Sequence, residues 1–141
     1  MTQLDDAIFL ARLGDATLDP ADFDHRGHLR AAFLVLCDAA TFGVALDRMA
    51  ALIRGFAGAH GQADKYHETV TVAFMALVNA RLAARDAPDW PSFAAANPDL
   101  LDGGAVAKLY PAGALDAPLA RRAFVLPGDA PREKAGDGAA V

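Results

Sequence analysis

Apolar positions along this chain recur at three- and four-residue intervals, the spacing that lines one face of an α-helix. Leu4, Ile8 and Ala11 predict a first short helix, which Gly14 would end. Asp19-Pro20 reads as an N-cap followed by proline at the first helical position, and Asp24 is a second candidate cap. Beyond it, Leu29, Ala32, Phe33, Leu36 and Cys37 share one face of a helix running to about Ala40. The stretch AAFLVL within it is apolar almost all round, which predicts a central position. Thr41 can cap the next helix, whose buried stripe is Ala45, Met49, Leu52, Ile53 and Phe56. Asp64 precedes a fourth helix, with Val70, Ala73, Phe74, Leu77 and Val78 inside, ending near Arg85 ahead of Pro88.

The remainder changes character. Prolines at 88, 91, 98, 111, 118 and 127, with Gly103, Gly104 and Gly113, admit only short helices. Asn97-Pro98 and Asp116-Ala117-Pro118 look like starts of one or two turns. Leu100, Leu101, Leu109, Leu115, Leu119 and Phe124 are expected to pack these pieces onto the bundle, with Trp90 and Phe93 as a hydrophobic clamp. No alternating strand pattern is present. The expectation is an all-α protein, a compact bundle of three to four main helices with an irregular, short-helix C-terminal section. Residues 1–126 would form one domain and 127–141 a mobile tail.

Composition narrows the classes of function. The hydrophobic fraction of 54% suffices for a real core. Thirteen basic residues against 18 acidic ones, net −5, argue against a general nucleic-acid binder or an anionic-membrane binder. The start, MTQLDDAIFLARLGD, lacks a basic segment ahead of an apolar one. The longest apolar run, Ala31 to Cys37, is too short to cross a bilayer. A cytoplasmic protein is therefore expected. The single cysteine, Cys37, excludes an intramolecular disulfide and reads as a small core residue. Apolar residues left on helix surfaces admit a homodimer.

Charge is uneven: −5 over residues 1–24, +3 over 25–85 and −3 over 86–141. The locally positive middle carries all four histidines, His25, His28, His60 and His67. Short loops favour alternating helix directions. That alternation would gather the starts of the second and fourth helices, and the end of the third, at one pole. His25 and His28 are three apart, so both can project from one side of a helix start. His67 shares a face with Val70, Thr71 and Phe74, and Glu68 with Thr71, Met75 and Asn79. A pocket lined by His25, His28, Tyr66, His67, Glu68 and Thr71 follows, with Arg30 nearby and Arg121 able to fold back over the pole.

Three readings of that pole stay open. His25, His28, His67 and Glu68 are ligands suited to zinc, iron or a similar divalent metal. Alternatively Arg30, Tyr66, Thr71 and Arg121 bind a small molecule or anion, with His67 and Glu68 as general acid–base candidates. In the third reading the same residues only cap helix ends in a structural or protein-interaction module. His60, in a Gly/Ala-rich loop, is expected to be solvent-exposed, and Asn79 to be a buried amide needing partners. Thr69 and Thr71 are expected to bond back to their own helix. No HExxH, P-loop, dinucleotide fingerprint or nucleophile elbow occurs. The residues do not decide between a binder and an enzyme.

The blocks F-D-H-R-G-H-L-R (Phe23 to Arg30) and K-Y-H-E-T-V-T (Lys65 to Thr71) resemble an F-x-H-x-x-H-L-R … K-Y-H-E-T-x-T signature. It belongs to a family of small uncharacterised bacterial helical proteins. N-P-x-L-L (Asn97 to Leu101) and L-x-x-x-x-A-R (Leu115 to Arg121) are similar to later parts of its pattern, so the resemblance spans roughly residues 20–126. It implies a compact helical domain of bacterial origin and supplies no activity. The matching polar residues are His25, His28, Arg30, Lys65, Tyr66, His67, Glu68, Thr69, Thr71 and Arg121.

Overall fold

The computed structural model of the chain describes residues 4–129. Among them lie six α-helices, joined by loops and single 3-10 turns, and no strand; the protein is all-α. The helices are α1 (Asp6–Gly14), α2 (His25–Asp38), α3 (Phe42–Ala59), α4 (Glu68–Ala84), α5 (Trp90–Ala96) and α6 (Pro118–Arg122). Their starts follow capping chemistry. Asp5 accepts from the Ala7 and Ile8 N–H groups, Asp24 from Gly27, Thr41 from Val44 and Asp89 from Ser92. Asp19-Pro20 opens the 3-10 turn Pro20–Asp22. The N-cap of α4 is the ring of His67 rather than Asp64, which falls in the preceding 3-10 turn Ala63–Lys65.

Helix α2 is central, as its all-round apolarity predicts. Leu29, Ala31, Ala32 and Val35 are fully buried, and the helix packs against α3, α4 and α5. Ala45 and Met49 of α3, and Met75 and Val78 of α4, close the core around it. Phe33 lies against Trp90 and Phe93 of α5, with ring centroids 6.1 and 5.0 Å apart. Fully burying side chains of this size stabilises by about 1.5–3 kcal/mol each. Trp90 and Phe93 thus clamp the C-terminal section to α2. They do so from a true helix, because Asp89 caps it and Pro91 fits its first turn.

Several expected faces are corrected. Helix α1 buries Phe9 and Leu13 and leaves Ile8 and Ala11 exposed. Both pairings satisfy helical spacing. The choice is made where the Arg30 guanidinium lies 4.4 Å over the Phe9 ring and pairs with Asp6 at 2.6 Å. Cys37 is exposed, in the last turn of α2, not part of the core. Asn79 is also exposed and needs no partner. Leu109, Leu119 and Phe124 stay exposed; Tyr110, Ala114, Ala120 and Val125 carry the packing of that section instead. The tail expected from residue 127 begins with a 3-10 turn, Pro127–Asp129, and from residue 130 it lies outside the described residues.

Side-chain bonds to backbone tie the C-terminal section down. The fully buried Thr69 hydroxyl donates to the Ala123 carbonyl (2.8 Å) and accepts from the Val125 N–H (3.1 Å). It reaches across the fold instead of bonding back to its own helix, as Thr71 does. The Tyr110 hydroxyl donates to the Val125 carbonyl at 2.7 Å.

Gly27 is buried at the start of α2, where a Cβ would strike the backbone carbonyl oxygen of Asp22. Backbone cannot yield as a flexible side chain does. Gly27→Ala is therefore expected to cost about 1–3 kcal/mol in urea denaturation. Gly58→Ala in α3 meets open space and should stabilise by up to about 1 kcal/mol through helix propensity. Equal effects of the two substitutions would contradict this packing.

Candidate functional site

Five of the candidate residues meet with Lys65 around one cavity. Its volume is about 200 Å³, and its polar lining is His25, His28, Lys65, Tyr66, His67 and Thr71. The rest of the wall is apolar: Met49 and Ile53 of α3, Val70, Phe74 and Met75 of α4, and Gly103, Ala105 and Val106 from the C-terminal section. A second cavity of about 480 Å³ adjoins it, sharing His28, Ile53, Lys65 and Tyr66 and bordered by Phe23, Phe56 and His60. The start of α2, the end of α3 and the start of α4 therefore meet at one end of the bundle. His60 is exposed there, against Phe56.

Each of the three histidines lining the smaller cavity bonds to a backbone carbonyl. His25 Nε2 lies 2.8 Å from the Leu100 oxygen, His28 Nδ1 2.9 Å from that of Asp24, and His67 Nε2 2.7 Å from that of Leu115. A carbonyl oxygen only accepts, so the nitrogen facing it carries the hydrogen. The other nitrogen of a neutral ring then bears a lone pair. In His67 that second nitrogen, Nδ1, accepts the Val70 N–H at 3.2 Å. Both nitrogens of His67 are thereby committed, one to capping α4 and one to holding Leu115. It retains no lone pair for a metal or a substrate proton. His25 Nδ1 and His28 Nε2 have no partner among the described residues. The buried side-chain nitrogen or oxygen left without a partner there is Trp90 Nε1, so both imidazole lone pairs are open to water or a ligand.

His28 stacks on Phe23 with ring centroids 3.9 Å apart and planes 12° from parallel. Burial lowers its pKa from the ordinary 6.5, against a smaller upward pull from the Asp24 carbonyl. The ring is neutral near pH 7. Tyr66 donates to Glu68 Oε1 at 2.6 Å, and burial, followed by this bond, pushes its phenol up to about 12. Arg54 of α3 lies 4.3 Å over the Tyr66 ring and 3.7 Å from Glu68. Glu68 is thus held by Tyr66 and Arg54 and does not line the cavity.

Two expected ligand contacts fall elsewhere. Arg30 is buried on the other side of α2, bonded to Asp6 and the Leu4 carbonyl. Positions 28 and 30 are two apart, and residues at that spacing do not face one another on a helix. Arg121 is exposed at the end of α6, where it reaches the Asp64 carbonyl at 3.4 Å instead of Glu68. The proposed metal set of His25, His28, His67 and Glu68 does not converge. No group of three His, Cys, Asp or Glu side chains among the described residues is placed to hold a metal ion. Sequence reasoning missed Arg54 and the apolar wall; the Met49/Ile53 pair at i, i+4 was the available signal for the latter. A comparison with known protein families, curated proteins and solved structures finds no match to this chain.

His67→Ala removes the α4 cap and orphans the Leu115 carbonyl, so a loss of about 1–3 kcal/mol in stability is expected. His67→Asn, which can still cap, should recover part of it in the same urea titration. For His28 the unfolded chain binds the proton more readily than the folded one. Its contribution is full above about pH 6.5 and is lost as pH falls through the lower folded value. The urea midpoint of the wild type should drop between pH 7.5 and 5, and drop less in His28→Phe.

Proposed function

We propose that this chain is a small-molecule-binding protein whose site is the cavity lined by His25, His28 and Tyr66. One observation carries the reading. An apolar cavity of about 200 Å³ opens beside two imidazole lone pairs that no protein group uses. An engineered apolar cavity of about 150 Å³ holds benzene, so this one has room for a single-ring molecule. Apolar walls with a few convergent polar groups are the usual character of ligand sites. Met49 and Met75 add flexible, polarisable surface that adapts to a bound ring.

The donor geometry favours an organic ligand over a resident metal. His67 is used up structurally, and Glu68 is bound by Tyr66 and Arg54. The Gly27 and Val70 N–H groups, which helix starts would otherwise offer to an anion, are capped by Asp24 and His67. A second reading, a protein-interaction module or homodimer, is favoured by the exposed apolar side chains Leu119, Phe124 and Leu126 on the C-terminal section. Light scattering at increasing concentration tests it: a dimer supports that reading and a monomer opposes a homodimer.

The binding reading is tested by titrating toluene into 15N-labelled protein. Amide shifts at Val70, Ala105 and Val106 are expected, and Ala105→Phe, which fills the cavity, should weaken binding by about tenfold or more. Unchanged spectra at millimolar toluene would contradict the reading. Zinc and a chelator should each leave the melting temperature unchanged; a zinc-dependent rise would restore the metal alternative.

A further inference from the structure

Apart from those of the Lys65 ammonium, the hydrogens of the polar lining are already spent, and this defines what it can recognise. The His25 and His28 N–H groups donate to Leu100 and Asp24. The Tyr66 hydroxyl donates to Glu68, and the Thr71 hydroxyl to the His67 carbonyl at 2.8 Å. Each hydroxyl has one hydrogen, so what remains at its oxygen is a lone pair. His25 Nδ1 and His28 Nε2 thus offer lone pairs, while the Tyr66 oxygen lies within hydrogen-bond reach of the Thr71 hydroxyl. Lys65 is the cation on the lining, and it is exposed.

The geometry points to a ligand that is a single-ring molecule bearing an O–H or N–H group, selected over ring molecules that only accept. This rests on the cavity being the binding site. A ring without a donor would leave the imidazole nitrogens unpaired when it displaced their water. An ammonium ligand is opposed by Lys65 at the rim and by Arg54 over the Tyr66 ring. A phenol-like or N–H heterocyclic ligand meets an acceptor with its polar end and Met49, Ile53, Phe74 and Val106 with its body.

Three probes of one ring size separate these cases: toluene, anisole and phenol, each titrated at pH 7.5 and followed at the Val70, Ala105 and Val106 amides. Phenol is expected to bind about three- to tenfold more tightly than anisole, the range of one net hydrogen bond. His28→Phe should bring the phenol-to-anisole ratio towards one. The His28 Nε2 nitrogen signal of the wild type should move with phenol and stay fixed with toluene, a readout that needs no variant. Anisole equalling phenol overturns donor selection while the cavity remains a binding site. Failure of all three probes to shift those amides overturns both.

Discussion

A ring nitrogen that faces a carbonyl oxygen must carry the hydrogen, and three histidines of this protein are placed that way. Leu100 and Leu115, the partners of His25 and His67, belong to the C-terminal section. Gly103, Ala105 and Val106 lie in the chain between those two anchors and form one wall of the cavity. The same bonds therefore hold the wall in place and dictate which ring nitrogens remain open to it. Structure and recognition share one set of interactions at this end of the bundle.

The histidines divide the work. His67 is consumed by scaffolding, since it caps α4 through one nitrogen and anchors Leu115 through the other. His28 is held against Phe23 and its own helix start, with the remaining nitrogen open. Tyr66, Glu68 and Arg54 form a second polar group beside them, whose internal bonds fix the phenol as a donor to Glu68. Around these groups the wall is apolar, so an unmade hydrogen bond inside it is costly.

Much of the architecture was legible because local chemistry and packing agree. Asp24 and Thr41 stand where helix starts need them, and the all-round apolarity of Ala31 to Leu36 marks the central helix. The face of α1 was not legible, because Ile8 and Phe9 both fit a helical stripe and only Arg30 decides between them. Cys37 fits the apolar spacing of α2, yet it falls in the last turn and is exposed. For the site, the convergence of His25, His28, Tyr66, His67 and Thr71 on one cavity follows from helix order and short loops. The destination of each ring hydrogen does not, since Leu100 and Leu115 are 75 and 48 residues away in sequence from the histidines they receive. Arg30 and Arg121 have long side chains, and residue type alone does not say which carboxylate or carbonyl they reach.

Long-range 1H–15N correlation of the imidazole rings at pH 7.5 tests the account most directly, because it reads the hydrogen on each nitrogen. The account predicts His28 as the Nδ1–H tautomer with a bare Nε2, and His67 as the Nε2–H tautomer with Nδ1 accepting. An Nε2–H tautomer or an imidazolium at His28 would contradict it, for the cavity would then present a donor where a lone pair is required.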